Sequence, residues 1–324
     1  MNETFVVEVS RGPVAVLQRL NTRIFVPEVH EDIEAVTRCL RQAGVPTPVL
    51  LRTEAGRLWH CDDLGGVWRC LTYEGDRTIH RVHAPADAVS AGRLVARFHA
   101  AVADLVWTFR SVRAGAHDTA GHMRGLEASL AAHRVHRLYD EVARVADEVL
   151  QRWTRLCDLP RLTPRVIHGD LKISNVRFAG PQALCLIDLD TLARDTLDVE
   201  LGDAMRSWCN PASEDATETV FDLSLFEAAM RGYARGAADG GRGPSAQECG
   251  AIVAGVQRVS LELAARFARD ALEECYFGWN PKFGTRGDHN LLRSRGQLAL
   301  ARSVDRVSAD AERVVRDCGF GLRW

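Results

Sequence analysis

The chain has 324 residues, with 46% hydrophobic and 26% charged residues, ordinary values for a soluble globular protein of one large or two modest domains. Its net charge of −2 gives no field for nucleic acid or an anionic membrane. No run of about 18 apolar residues exists, the first ten residues do not read as a signal peptide, and the nine cysteines include no CxxC pair. Reduced, mostly buried thiols in a cytoplasmic protein are expected.

The first 75 residues read mostly as strands. Phe5 to Val9 and Pro13 to Leu20 come first, then a helix from about Val29 to Ala43 with Ile33, Val36 and Leu40 at helical spacing. Gly44 and Pro46 stop it. Strands at Leu50 to Arg52, Arg57 to Cys61 and Val67 to Tyr73 are separated by the turn signals Glu54-Ala55-Gly56 and Asp62 to Gly66. After Tyr73 the texture becomes helical. Helices are predicted at Ala88 to Leu105, capped by Asp87, at Met123 to His136 and at Leu138 to Leu156. Short strands are predicted at Arg165 to Ile167, around Val176 to Phe178, and at Ala183 to Ile187. Nearly everything from Leu201 is helical by period, apart from a flexible loop at Gly236 to Pro244 and an irregular stretch at Gly278 to Asp288. No internal repeat occurs. The expectation is an α+β, two-lobed kinase layout. Residues 1–74 form a small β-rich nucleotide-binding lobe ending in a hinge that contains Leu71 and Tyr73. Residues 75–324 form a large, mainly helical lobe with the catalytic loop and substrate site.

The chemistry concentrates in His168-Gly169-Asp170-Leu171-Lys172-Ile173-Ser174-Asn175, followed by Leu186-Ile187-Asp188-Leu189-Asp190. A carboxylate and a carboxamide stand five residues apart on a loop, and a second carboxylate follows at a strand end. Phosphoryl transfer from a metal nucleotide needs that set: an acid to orient and deprotonate a hydroxyl, and two oxygen ligands for magnesium. Of 41 basic residues the only lysines are Lys172 and Lys282, so a lysine inside this loop points to need.

His168-Gly169-Asp170, Asn175 and Ile187-Asp188 together resemble the aminoglycoside phosphotransferase and choline kinase superfamily, which has a protein-kinase-like fold. Leu17 to Phe25, Trp68-Arg69-Cys70, Ile187 to Thr191, Gly202 to Arg206 and His289 to Gln297 are most similar to N-acetylhexosamine 1-kinases and their relatives. The resemblance covers nearly the whole chain. It implies ATP and Mg2+, with Asp170 as catalytic base, Asn175 and Asp188 as metal ligands, and Lys172 as a charge for the transferring phosphate. Arg19 would stand where most kinase strands carry a phosphate-binding lysine, with Glu31 or, preferably, Glu34 as its helix partner. Thr191, Arg266 and Tyr276 would meet a carbohydrate or amino-sugar substrate, and Asp190 would assist the metal or the sugar. The protein is expected to be a monomer with no nucleic-acid or membrane partner.

Related chains carry a strand and a glycine turn before the residues matching Asn2 to Phe5. The expectation is therefore one of three: a start assigned at an internal Met, an enzyme working without that flap, or lost activity. Asn2 and Thr4 are the nearest survivors to the phosphates. Among plainer readings, His168 supports the loop, Asp203 caps the helix it begins or supports the catalytic loop, Arg293 and Arg295 lie on a solvated helix face, and Trp208 and Trp279 belong to the core. Two other functions are weighed beside a sugar kinase: an aminoglycoside-type antibiotic kinase, and a catalytically impaired binding protein. A metal hydrolase using His80, His83, His133 and His136 lacks an evident third ligand.

Overall fold

The computed structural model describes residues 2–112, 115–156, 160–212 and 215–320. Runs of β-branched and other apolar residues build β1 (Glu3–Val9) and β2 (Gly12–Arg19), which pair antiparallel with Phe5 opposite Leu17. After α1 (Val29–Gln42) come β3 (Leu50–Leu51), β4 (His60–Cys61) and β5 (Val67–Thr72). All five strands form one antiparallel sheet of order β1-β2-β5-β3, with β4 also pairing β5. One sheet face supplies Val67, Leu71 and Leu50 to a core shared with Ile33, Val36 and Leu40 of α1. β1 is an edge, exposed along its length.

β6 (Arg77–Thr78) leads into α2 (Pro85–Val102), α3 (Thr119–Ala132) and α4 (Tyr139–Trp153). β7 (Arg165–Ile167) runs into the motif loop, β8 (Val176–Ala179) and β9 (Gln182–Leu186) form a hairpin after it, and β10 (Ala193–Asp195) returns to pair with β7. The remainder is α5 (Leu197–Trp208), α6 (Leu223–Gly240), α7 (Ala246–Glu273) and α8 (Arg286–Asp317). This is the α+β architecture expected, a small antiparallel sheet with one helix set against a large helical lobe. Among the described residues no helix is long and apolar enough to cross a membrane.

Several local expectations need correcting. α2 begins at Pro85, whose missing N–H costs nothing in a first turn, so Asp87 is not the cap; it is buried and pairs with Arg77. Gly236 does not lie in a loop, since α6 continues to Gly240. A Cβ at Gly232 would stand 2.0 Å from the Val89 carbonyl oxygen, so glycine there lets α6 approach the α2 backbone. Asp203 sits inside α5 rather than at its start. Trp208 is buried, but Trp279 is 41% exposed. Cys185, Cys209 and Cys249 are buried, whereas Cys61 and Cys275 are exposed; Cys157 lies outside the described residues.

Candidate active site

The motif loop is held from behind by one buried carboxylate. Glu200 of α5 accepts the backbone N–H groups of His168 (2.8 Å) and Gly169 (3.0 Å) and contacts His99 Nε2 at 3.3 Å. Burial alone would raise its pKa; the hydrogen bond to His99 and the charges of His99 and His168 outweigh that and lower it. His168, fully buried, bonds the Ile187 carbonyl through Nε2 at 2.9 Å. It therefore ties the loop to the strand end that carries Asp188. Gly169 has φ +80°, and a Cβ there would stand 2.5 Å from the Thr191 carbonyl oxygen, so glycine is required twice over. The Thr191 hydroxyl donates to the His168 carbonyl at 2.8 Å, which gives it a bracing duty.

In front of that frame, Asp170 Oδ2 accepts from Lys172 Nζ at 2.7 Å and from Asn175 Nδ2 at 3.1 Å, and Asn175 Nδ2 also donates to the Asp170 carbonyl. With its nitrogen used inward, the Asn175 carboxamide keeps its oxygen for another partner. The Ile187 N–H donates to the Asn175 carbonyl at 2.9 Å, which fixes Asp188 beside the loop. Asp188 takes a left-handed backbone conformation, φ 63° and ψ 50°. The cleft leaves it open to solvent, yet the protein around it and the charges of Asp190 and Asp170 raise its pKa, against Lys172 and His168. Burial would lower the Lys172 pKa, but Asp170, Asp188 and Asp203 hold it above its usual value. A carboxylate crowded by carboxylates, next to an amide oxygen, is a donor set suited to a hard divalent cation. Among the described residues no group of three or more His, Cys, Asp or Glu side chains could hold a metal. His133 instead bonds the Ser129 carbonyl, and His136 faces Glu274.

Arg19 does not meet Glu34 or Glu31. It lies across from Trp68 on the outer sheet face, near Glu3 (3.7 Å), while Glu34 bonds Arg52 and Glu31 bonds Arg110. Strand alternation is the reason: Gln18, not Arg19, shares a face with Arg69 and looks towards the large lobe. An open hollow of about 600 Å³ on the small lobe, lined by Leu17, Trp59, Trp68 and Cys70 among others, includes none of the residues around Asp170. Where the hinge was expected, Leu71 packs into the core and Arg177 lies over the Tyr73 ring at 5.0 Å while donating to the Glu74 and Gly75 carbonyls.

Asp203 faces the same loop. One turn further along α5, Ser207 accepts from the Ile173 N–H (3.0 Å) and Trp208 donates to the Leu171 carbonyl (2.8 Å). Asp203 Oδ1 bonds Arg206 at 2.8 Å, whereas its buried Oδ2 has no hydrogen-bond partner among the described residues. Beyond it, Glu262 of α7 bonds Thr119 (2.7 Å) and His117 (3.1 Å). Burial pulls the His117 pKa down, but Glu262, Asp203 and Asp195 outweigh it and raise it. Arg266, one turn on from Glu262, lies over the rings of Tyr276 (6.0 Å) and Phe277 (5.5 Å). Asp270 holds that aromatic turn by accepting the N–H groups of Cys275, Tyr276 and Phe277. Arg293 is not simply solvated; it bonds Asp215 and the Gly278 carbonyl.

Sequence reasoning singled out neither Glu200 nor the Arg69–Asp190 pair described below. An acidic residue at Glu200, among apolar neighbours in α5, was the available signal.

A kinase-like scaffold with this loop defines a phosphotransferase class. The model of the Phosphotransferase enzyme family matches residues 2–238, and the chain belongs to that family as a small-molecule kinase. Its fold is similar to an aminoglycoside phosphotransferase from Alicyclobacillus acidocaldarius subsp. acidocaldarius DSM 446 (TM-score 0.64, 16% identity, covering 98% of this chain and 92% of that one). It is also similar to amicoumacin kinase in complex with AMP-PNP, Ca2+ and Ami (0.61, 12%, 92% and 85%), and to a microcompartment-associated aminopropanol kinase (0.58, 17%, 97% and 94%).

Proposed function

We propose that the chain uses ATP with Mg2+ to phosphorylate a hydroxyl of a small carbohydrate or amino sugar of the N-acetylhexosamine kind. The carrying observation is the convergence of Asp170, Lys172 and Asn175 on one loop with Asp188 fixed alongside. Asp170 Oδ2 accepts the proton of the attacking hydroxyl, and Lys172 lends a positive charge beside the transferring phosphoryl group. Asn175 and Asp188 are the residues that would hold Mg2+, which when bound neutralises developing charge on the phosphate oxygens. The nucleotide complex of the amicoumacin kinase, with its divalent cation, supports the cofactor reading.

The acceptor side supports a sugar. Tyr276 is 55% exposed and Trp279 41% exposed on one turn, offering aromatic faces to C–H surfaces. Arg266 stands over the Tyr276 ring, where it can donate to a carbonyl such as that of an acetamido group. The unpartnered Asp203 Oδ2 calls for a hydroxyl or N–H. The arginines Arg206, Arg266 and Arg293 among the carboxylates do not suit a polycation, which disfavours an aminoglycoside acceptor.

The test is ATP consumption by the purified protein with Mg2+ across N-acetylhexosamines, free amino sugars, neutral hexoses, aminopropanol and aminoglycosides. Turnover on acylated or neutral sugars is expected. Turnover on aminoglycosides alone would overturn the acceptor class, and AMP-PNP binding without turnover on any acceptor would leave a binding protein. Asp170→Asn should cut kcat by about 10²–10⁴-fold while AMP-PNP binding stays near wild type.

A further inference from the structure

The small and large lobes share a buried ion pair that neither lobe could satisfy alone. Arg69 comes from β5 and Asp190 stands two residues beyond Asp188; their side chains are 2% and 0% exposed. The guanidinium meets the carboxylate as a fork, Nη1 to Oδ1 at 2.5 Å and Nη2 to Oδ2 at 2.7 Å. Arg69 Nε donates to Gln18 Oε1 at 2.9 Å. Asn2 Nδ2 donates to Asp190 Oδ2 at 2.7 Å, and Asn2 Oδ1 accepts the Asn21 N–H at 2.8 Å. Among the described residues, every side-chain partner of Asp190 therefore comes from the small lobe.

The pair sits where it controls Asp188. A non-glycine residue in the left-handed region persists only when its neighbours over-determine it. Ile187 is fixed on one side by Asn175 and His168. On the other side the fixed point is Asp190. Arg69 also takes the place of the absent contact between Arg19 and the α1 glutamates, since it is the cation that the cleft-side sheet face extends to the large lobe. A buried ion pair adds little net stability compared with apolar side chains of the same size, so its value here lies in fixing position.

We infer that Arg69 and Asp190 are positioning residues: their pair sets the aim of Asp188 and locks the two lobes in the metal-binding arrangement. This rests on the reading of Asp188 as a metal-holding residue. Asp190, with both oxygens engaged, is a brace and not a ligand.

The test compares wild type, Arg69→Lys, and the double variant Arg69→Met/Asp190→Leu, which removes both charges at similar volume. The readouts are the thermal shift produced by Mg2+ with AMP-PNP, and the Mg2+ concentration giving half-maximal turnover. The double variant should unfold at nearly the wild-type temperature in the absence of ligand, yet lose the Mg2+-dependent shift and need at least tenfold more Mg2+. Arg69→Lys, keeping charge without the fork, should lie between. Wild-type Mg2+ dependence in the double variant would overturn the inference, leaving the pair as packing. Should the double variant fail to fold by circular dichroism, Arg69→Lys decides, with an unchanged Mg2+ requirement counting against the inference. No Mg2+-dependent shift in wild type itself would instead fell the metal reading, and this inference with it.

Discussion

Replacing Glu200 by glutamine tests how the motif loop is held. In the native protein one fully buried carboxylate serves two backbone N–H groups at 2.8 and 3.0 Å, one on each oxygen, with His99 on the flank. Glutamine keeps the shape but offers one oxygen, so one N–H then faces an NH2 group. A hydrogen bond to a charged acceptor contributes about 1.5–3 kcal/mol, and an orphaned buried donor costs about 1–3 kcal/mol. Glu200→Gln should therefore destabilise by about 3–5 kcal/mol. For 324 residues this corresponds to a fall in Tm of roughly 4–8 °C. The same change frees the backbone just before Asp170, so kcat should fall more than KM rises. The pH dependence has a definite sign. The Glu200 pKa is lowered in the fold, so its contribution is present above the ordinary carboxylate pKa and is lost as pH falls through the lowered value. The gap between wild type and variant should therefore narrow on acidification. Denaturant unfolding at pH 7 and in acid measures this. A variant within about 1 kcal/mol of wild type at pH 7, with unchanged kcat, would refute the account of the loop.

Asp188→Asn removes a carboxylate whose pKa is raised by its surroundings and by Asp190 and Asp170. An ionised group of that kind opposes folding at neutral pH, so the metal-free variant should melt above wild type. Wild type at 100 times the dissociation constant of Mg2+–AMP-PNP should gain about 2.7 kcal/mol, and the variant nothing. Buried His30, stacked on Trp59, has its pKa lowered to about 4 by burial and then by Arg69. The unfolded chain binds a proton there from about pH 6.5 downward, so up to about 3 kcal/mol of stability is lost between pH 6.5 and 4; unfolding curves of His30→Phe should be flatter over that window. Gly232→Ala should cost about 1–3 kcal/mol or more, because its Cβ must push α6 off the Val89 carbonyl; an unchanged Tm would show the helices free to part.

The sequence alone carried the α+β lobed architecture and most of the elements, though not the short strands β6 and β10, and it set Asp170, Lys172, Asn175 and Asp188 close together along the chain. Those residues lie within a span of twenty, close enough for turn chemistry and strand ends to bring them to one loop, although Glu200, Ser207 and Trp208 of α5 hold that loop in place. The helix limits at Pro85 and Gly240 were less legible; glycine at 236 reads as the start of a loop until α2 is seen packed against it. Tertiary structure alone decided which face of β2 looks inward, because alternation makes Gln18 and Arg19 opposites and one residue of register exchanges them. It alone paired Arg69 with Asp190 across 121 residues, and Glu200 with a loop 31 and 32 residues before it. A charge that is buried must find its partner wherever the packed chain brings one, and no local pattern records where that will be.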